Sequence, residues 1–529
     1  MNKRCRDILF AFIIFGLLFT NIPKILQCNF LFGTMATKLS VYPIFIGMMG
    51  TIYYKKFNTN QNIRNDRFEL YGVKYIASYL LICTISLIIG LMNYPYYDLI
   101  LNGPVTQIKK LNILYFLIQQ INGNISLREL LSYWMLIRPI KGLIIETIMT
   151  FGTVLLIFQW YKNDKKEMMQ ILIKGIYVSV GCILLYNILD CGYLLNNIQA
   201  TALLQKINPI VHEIKNNGTW WPPLLISGQL RSLFAEPSYY GIYASFALPW
   251  LWYSTFYYSK KKVLTYGTIF LFSFCLYLTK ARTAVILLNG EIVFLILFTF
   301  FFRKIMWRHT ITILFCTIIS FFLATSFINY VSMMDSRANV TVNSYLNDNV
   351  GSLAYADKRS NRARYSVMEA NLRMGLTHPF FGVGYSLRQA YTKDYLSTAG
   401  LNNNEIKGWL KNQENLGILK VGFPPLGDYL VRLAETGFFG LSFFLLLPGY
   451  LFYLLLQIIF KEKNNELGVL PYIFFSISLI GIMASGIGDT LNVTYCYWFL
   501  LGVGYVLCFR GSDGNKSSHG QVERMREPC

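Results

Sequence analysis

The stretch RKIMWRHTITILFCTIISFFLATSFINYV, residues 303–331, decides the class of this protein. Its second part, Thr310–Val331, contains no charged residue and exceeds the roughly 20 apolar residues with which a helix crosses a bilayer. Arg303, Lys304 and Arg308 stand directly before this apolar run. An uncharged run with basic residues at one end is typical of a transmembrane helix whose basic end faces the cytoplasm.

Further apolar runs of comparable length follow one another along the chain. Backbone polar groups inside a bilayer need hydrogen bonds within their own segment, so these runs predict helices. The sequence therefore predicts an all-α polytopic membrane protein with about 12 transmembrane helices. In chain order, the predicted spans are Ile8–Leu26, Leu39–Tyr54, Tyr75–Met92, Gly142–Tyr161, Ile171–Leu195, Tyr239–Tyr258, Val263–Leu278, Thr283–Phe302, Thr310–Val331, Leu430–Phe460, Pro471–Ile487 and Val493–Phe509.

Composition and charge agree with this class. Apolar residues make up 54% of the chain and charged residues 14%, whereas about a quarter of the residues of a soluble domain are charged. The net charge of +21 would also suit a nucleic-acid-binding protein, but the positive residues lie at the ends of apolar runs, as in cytoplasmic loops. They are Lys3, Arg4, Arg6, Lys55, Lys56, Arg64, Arg67, Lys162, Lys165, Lys166, Lys260, Lys261, Lys262, Arg303, Lys304, Arg308, Lys461, Lys463 and Arg510.

The basic connections predict that both termini lie in the cytoplasm. The run that begins at Ile8 lacks a small-residue cleavage site and is interpreted as an uncleaved span. The ten cysteines are scattered, mostly within apolar runs, and indicate neither a disulfide framework nor a zinc site. The predicted organisation is helices 1–9 in 1–331, a large outer loop in 332–428, helices 10–12 in 429–510 and a cytoplasmic tail in 511–529.

Two shorter outer segments are also predicted, at 93–141 and 196–231. Within the first, Leu111–Ile121 and Leu127–Ile137 are apolar but too short to span, and they predict interfacial helices. The loop 332–428 is far longer than a connection needs, and loops of that size usually carry function.

Charged residues at or within spans are costly and therefore candidates for function. Arg282 lies in Lys-Ala-Arg-Thr-Ala, 280–284, where two spans meet on the outer side, and the position favours a functional role over a snorkelling turn residue. Glu146, Glu291 and Asp489 suit chemistry and pairing with a neighbouring helix equally well.

The string Arg-Ser-Leu-Phe-Ala-Glu-Pro-Ser, 231–238, contains a helix start at Pro237. Free amides and the positive end of the helix dipole favour an anion at such a start. Arg231 and Glu236 are therefore candidate site residues, although a headgroup anchor and an ordinary cap-region acid explain them equally well.

Arginines recur in the long outer loop, against the general charge distribution. Arg362 and Arg364 belong to Arg-Ser-Asn-Arg-Ala-Arg-Tyr, 359–365, and His378 opens His-Pro-Phe-Phe-Gly-Val-Gly-Tyr, 378–385. Guanidinium groups bind phosphate oxygens bidentately, so the pattern indicates an anionic lipid pyrophosphate.

Taken together and in this order, these strings and Leu-Ala-Glu-Thr-Gly, 433–437, resemble the O-antigen polymerase and O-antigen ligase superfamily, with the polymerase (Wzy-like) branch closer. The resemblance extends from about Arg231 to Gly440, and before that it rests on topology alone. It implies a glycosyltransferase-C-like membrane fold and a metal-independent enzyme without a cofactor. The implied reaction moves a growing glycan from undecaprenyl pyrophosphate onto a lipid-linked repeat unit, at the outer face of the bacterial cytoplasmic (inner) membrane.

The resemblance also implies roles for individual residues. Arg231, Arg282 and Arg364 would hold and neutralise the pyrophosphate leaving group, and Arg362 and His378 would contact the lipid pyrophosphate or the glycan. The implied partners are the undecaprenyl-pyrophosphate-linked oligosaccharide, membrane lipid and, as a further candidate, a chain-length regulator protein; nucleic acid is not expected.

One departure separates the two branches of the superfamily. The ligases carry a His-Asn pair before their Ala-Glu-Thr-Gly-like segment, where this sequence has Leu426 and Gly427. Leucine cannot act as a general base, which favours the polymerase and leaves the base open. Glu236 is the first candidate for it, Asp428 the second and His378 the third.

Two other interpretations of the function stay open. One is a ligase or protein-glycan transferase of the same superfamily. The other is a flippase or other transporter of lipid-linked oligosaccharide. Transporters commonly have repeated halves and sites near the midplane, whereas this sequence has no visible repeat and its candidate charges lie on one side.

Overall fold

The computed structural model describes residues 2–57, 67–121, 124–214, 222–257, 262–334, 342–347, 359–462 and 465–509. The predicted tail 511–529 and the basic residues Arg64, Lys260, Lys261, Lys463 and Arg510 lie outside these ranges.

Within the described ranges the secondary structure is helical, which confirms the predicted all-α class. The α-helices are α1 Lys3–Gly16, α2 Asn29–Phe32, α3 Val41–Phe57, α4 Arg67–Met92, α5 Tyr97–Leu101, α6 Val105–Gln120, α7 Leu127–Tyr161, α8 Lys165–Leu194, α9 Ile198–Val211, α10 Pro237–Tyr257, α11 Lys262–Leu278, α12 Arg282–Phe301, α13 Arg303–Met334, α14 Val342–Leu346, α15 Arg359–Thr377, α16 Arg388–Tyr395, α17 Thr398–Leu401, α18 Asn404–Leu416, α19 Asp428–Lys461, α20 Glu466–Gly488 and α21 Cys496–Cys508.

Each predicted span overlaps one of these helices. In the described part of the chain, seven helices are long and apolar enough to cross a membrane, namely α4, α7, α8, α12, α13, α19 and α20. The helices α11 and α21 are apolar but shorter. The chain is thus a multi-pass helical membrane protein, and the number of twelve spans stays a prediction.

Two boundaries differ from the sequence prediction. The helix of the first predicted span ends at Gly16 instead of Leu26, because Pro23 lies in the segment that follows and disfavours a helix there. The predicted interfacial helix Leu127–Ile137 is wrong as a separate element, because α7 runs through Pro139 without a break. A capping box at Ser126 and Glu129 starts this helix, well before the apolar run of the span.

The described residues 359–427 of the predicted outer loop form a folded, largely helical unit. Helices α15 and α16 and the segments after them share a small apolar core that includes Val367, Met374, Val383, Leu396 and Ile406. Helix α15 packs along α19, so this unit is fixed to the membrane-spanning bundle.

Helix α10 lies at the centre of the part of the bundle that concerns the site. It packs against α12 and α20, and α12 also packs against α20. The start of α10, the start of α12 and the end of α20 therefore meet at one end of the bundle. By chain connectivity this is the end that carries the predicted outer loop.

Candidate functional site

Two motifs of the sequence pair backbone to backbone. The N–H groups of Val383 and Gly384 donate to the carbonyls of Ala434 and Glu435, at 2.9 Å and 3.2 Å. The N–H of Phe438 donates to the carbonyl of Pro379 at 2.7 Å. The string 378–385 of the outer loop is therefore docked onto the string 433–437 of α19.

Glycine makes this docking possible. Gly437 interrupts α19 with a φ of 65° and a ψ of −166°, and this interruption frees helix carbonyls for the loop. A Cβ at Gly437 would lie 2.3 Å from the carbonyl oxygen of Phe380, and one at Gly382 would lie 2.4 Å from that of Ala434. Both glycines have a positive φ, a backbone conformation that residues other than glycine rarely adopt.

Ser86 of α4 connects the two motifs. Its buried hydroxyl lies 2.8 Å from the carbonyl of Phe381 and 2.7 Å from that of Glu435, and it accepts from the N–H of Tyr385 at 3.1 Å. A serine in an apolar helix carries no distinctive signal, so sequence reasoning missed it.

Four charged residues from four segments form what we call the arginine–carboxylate cluster: Glu236, Arg282, Arg364 and Asp489. The guanidinium of Arg282 donates to the side-chain oxygen of Asn361, one turn before Arg364 on α15. Arg364 is exposed and lies close enough to the other three members for its charge to act on each of them. The structure therefore brings together three of the predicted site residues with Asp489, a charge for which the sequence left chemistry and helix pairing equally open.

The two carboxyl groups of the cluster have raised pKa values, which suits them to accept a proton. Burial raises the pKa of Glu236, and the positive charge of Arg364 opposes this shift. Burial also raises the pKa of Asp489 to about 6, with the negative charge of Glu236 acting in the same direction and the N–H of Thr490 and Arg364 opposing it. Carboxyl groups with a raised pKa are better proton acceptors than ordinary surface acids.

A buried cavity of about 190 Å³ adjoins the cluster. The carboxylates of Glu146, Asp428 and Glu435 line it, together with Arg432 and Asn492. The N–H of Asp428 donates to the carbonyl of Asp489 at 3.1 Å, which connects the cavity to the cluster. The cavity is polar although membrane-spanning helices surround it, so a polar ligand or ordered water suits it.

The cavity carboxylates have fixed partners. Arg432 Nε lies 2.8 Å from Asp428 Oδ2, and the Arg432 guanidinium stacks 3.8 Å from the centre of the Phe444 ring. Glu146 Oε1 accepts from Asn492 Nδ2 at 2.7 Å. Asp428, the second candidate for the base, is therefore already paired with an arginine of its own helix.

Arg231 lies elsewhere. Its side chain is 3% exposed and donates to the carbonyls of Pro223 and Leu224, at 2.8 Å and 2.9 Å. Its backbone N–H and that of Ser232 donate to the carboxylate of Asp190, at 3.3 Å and 2.7 Å. The guanidinium of Arg231 thus binds carbonyls of its own segment, and the backbone N–H groups hold that segment against α8.

His378 is also apart from the cluster. His378 follows the last residue of α15, and the 14 residues that separate it from Arg364 correspond to about 21 Å along a helix. Its Nδ1 lies 3.0 Å from the hydroxyl of Thr377. Arg362 is exposed on α15, two residues before Arg364.

Metal chemistry has no assigned place in this arrangement. Across the described ranges, no three His, Cys, Asp or Glu side chains are grouped so that they could hold a metal ion. Metal independence stays an expectation from the resemblance.

Part of the chain matches a known protein family. Residues 267–445, roughly a third of the chain, match the family model described as O-Antigen ligase. The matched region contains Arg282, Arg364, Asp428 and the docked motifs. Among curated proteins, none matches this chain.

This match supports the O-antigen ligase and polymerase superfamily, whose members are membrane glycosyltransferase-like enzymes of surface polysaccharide biosynthesis. It applies equally to a polymerase and to a ligase.

Proposed function

We propose that this protein is a surface polysaccharide polymerase. It transfers a growing glycan from undecaprenyl pyrophosphate to a hydroxyl group of a lipid-linked repeat unit, at the outer face of the cytoplasmic membrane. The observation that carries the proposal is that Arg364 lies near Arg282, which is distant in sequence, and near the carboxyl groups of Glu236 and Asp489.

The two arginines suit a pyrophosphate leaving group. Two guanidinium groups so close repel each other, and a bound anion relieves that repulsion. As the bond between the sugar C1 and the pyrophosphate oxygen breaks, negative charge grows on that oxygen, and fixed positive charges stabilise it. Arginine keeps its charge at every physiological pH and matches phosphate oxygens in pairs.

The carboxyl groups suit the acceptor. The acceptor oxygen forms the new bond to C1 while its proton passes to a carboxylate, and the lipid pyrophosphate leaves. Glu236 remains the first candidate for this base, because burial raises its pKa and, among the described side chains, no arginine forms an ion pair with it like that of Arg432 with Asp428. Asp489 becomes the second candidate on the same grounds.

The polymerase is preferred to the ligase for one reason in the sequence. Where the ligases of the superfamily carry His-Asn, this chain has Leu426, which is buried, and Gly427, which has a φ of 70°. An aliphatic side chain cannot accept a proton at that place. The ligase remains the second candidate function, since the matching family model is described by that activity.

The glycan size profile of cells tests the proposal. We expect Arg282→Ala and Arg364→Ala to abolish long-chain glycan and to leave single repeat units, because each removes a charge that stabilises the leaving group. Arg373→Ala is the matched control, since Arg373 is exposed on the same helix as Arg364 and pairs with Glu369 at 2.5 Å.

Two outcomes would contradict the proposal. Normal long-chain glycan in both Arg282→Ala and Arg364→Ala, at unchanged protein levels, would remove the pyrophosphate site. Intact polymer on the lipid carrier with unmodified lipid acceptor, in cells that lack this chain, would identify a ligase instead.

A further inference from the structure

A second cavity, outside the arginine–carboxylate cluster, forms an open groove of about 490 Å³. One wall is the end of α4 and the segment after it, with Asn93 and Tyr96. The other wall is the end of α15 together with α16, with His378, Tyr391, Asp394 and Tyr395. We call this cavity the tyrosine groove.

The tyrosines are arranged edge to face. The rings of Tyr96 and Tyr391 lie 4.9 Å apart at an interplanar angle of 90°, and the ring of Tyr94 meets that of Tyr391 at 6.0 Å and 70°. His378 lies 6.4 Å from both Tyr391 and Tyr395. An edge-to-face pair covers a face of only one of its two rings, so each pair leaves other ring faces unstacked.

Polar groups stand at the edge of the same groove. The hydroxyl of Tyr96 donates to the carboxylate of Asp394, whose side chain is exposed. Burial raises the pKa of Tyr391 to about 12, so its hydroxyl stays protonated and can both donate and accept. Asn93 and His378 add further hydrogen-bonding atoms.

The charge of the groove excludes a pyrophosphate as its ligand. Among the described residues that line it, none is an arginine or a lysine, and Asp394 contributes a negative charge. A phosphate-binding site would need positively charged side chains instead. His378, which the sequence assigned to the pyrophosphate or the glycan, therefore belongs with a neutral, hydroxyl-bearing ligand.

Sugar rings have this chemistry. A pyranose presents apolar C–H groups on its faces and hydroxyl groups around its edge. An aromatic wall accommodates the faces, and a small number of carboxylate, amide and imidazole groups at the edge fix the orientation.

We propose that the tyrosine groove is a glycan subsite that holds sugar residues of the polymer away from the reacting bond. The inference rests on the proposed polymerase function and assigns a second binding site to it. The groove lies about 21 Å from Arg364 along α15, so its occupant is several sugar residues from the pyrophosphate. The docked motifs connect the tyrosine groove with the cavity that adjoins the cluster, since Val383 lines the groove and Glu435 lines that cavity.

Binding of free glycan to the purified protein tests the subsite directly. The probe is the repeat-unit oligosaccharide of the producing cell, released from its carrier and free of phosphate, and saturation-transfer NMR in lipid nanodiscs reports its contact. We expect Tyr391→Ala and Asp394→Ala to weaken binding at least about tenfold. Arg364→Ala should bind the probe as the unchanged protein does, because the probe carries no phosphate.

Tyr133→Ala is the matched control for the loss of a tyrosine. Tyr133 is 55% exposed near the start of α7 and is outside the groove, so binding should be unchanged. Tyr391 contacts other rings, and its loss could disturb packing; Asp394 is exposed, so Asp394→Ala tests the groove without that risk. Equal binding by the unchanged protein and Asp394→Ala, or no binding by the unchanged protein, would overturn the proposal.

The cellular result separates this inference from the proposed function. A subsite that retains the polymer should shorten the glycan size distribution when it is damaged, while products of two repeat units still form. If Arg282→Ala leaves the polymer normal but Asp394→Ala loses the free glycan, the polymerase proposal fails and the subsite stands. If Arg282→Ala abolishes the polymer but Asp394→Ala changes neither binding nor length, only the subsite fails.

Discussion

At the scale of single residues, three arginines with the same predicted role have different surroundings. Arg364 lies near Arg282 and near two carboxyl groups, whereas Arg231 is buried against backbone carbonyls. A charge that is already bound by carbonyl oxygens has few donors left for a phosphate. The tertiary structure therefore distinguishes Arg231 from Arg282 and Arg364, which the sequence alone could not do.

This division predicts a different result for Arg231→Ala. The change leaves the carbonyls of Pro223 and Leu224 without their donor and should lower the free energy of unfolding by about 3 kcal/mol. Thermal unfolding of the purified protein measures this, with Arg373→Ala as the control that loses only an exposed charge. A fully stable Arg231→Ala protein that makes no polymer would contradict this structural role and would indicate that Arg231 belongs to the pyrophosphate site.

At the scale of elements, the site depends on an interrupted helix. Helix α19 breaks at Gly437, and the outer loop donates hydrogen bonds to the carbonyls that precede the break. The motif 433–437 is thus the surface onto which the loop docks, and its Glu435 also lines the cavity beside the cluster. Glycine is needed there because the carbonyl of Phe380 occupies the place of a Cβ.

Replacement of Gly437 by alanine should undock the loop. A residue other than glycine at this φ costs about 1–3 kcal/mol, and the contact with Phe380 adds to it. We expect faster limited proteolysis of the outer loop and loss of polymer. Gly449→Ala in the same helix is the control, because no atom would lie within 4 Å of its Cβ. Equal proteolysis of the two variants would refute the docking role.

At the scale of the whole molecule, the basic connections and the cluster lie at opposite ends of the bundle. Helices that succeed one another with short turns exchange ends, so the starts of α10, α12 and α19 share an end with the first outer segments. The proposed polymerase function therefore requires that this end face outward.

Two native cysteines test this orientation. Cys5 and Cys28 are both exposed and lie on either side of the first span. A membrane-impermeant maleimide applied to intact spheroplasts should modify Cys28 and leave Cys5 unmodified until the cells are lysed. Cys5→Ser and Cys28→Ser variants identify each signal, and the reverse pattern would invert the proposed topology.

Sequence reasoning reached some residues of the site and missed others for a physical reason. Glu236, Arg282 and Arg364 could be found because a charge next to an apolar run is costly and must be explained. Ser86 and Tyr385 could not, since a hydroxyl group in an apolar context is common and its partner lies far along the chain. The tyrosine groove was equally hidden, because α4 and α16 are nearly 300 residues apart.

By itself, the sequence determined that the chain is helical and membrane-embedded and that its basic loops share one side, because hydropathy and charge act locally on each segment. Only the tertiary structure decided which charges meet. It placed Arg282 near Arg364, bound the Arg231 side chain to backbone carbonyls and selected Asp489 from the three acids that the sequence left open. The energy of a charge depends on neighbours that the fold brings from distant positions. The uncharged run at Thr310–Val331 fixes the class of the protein, whereas its chemistry depends on contacts between segments.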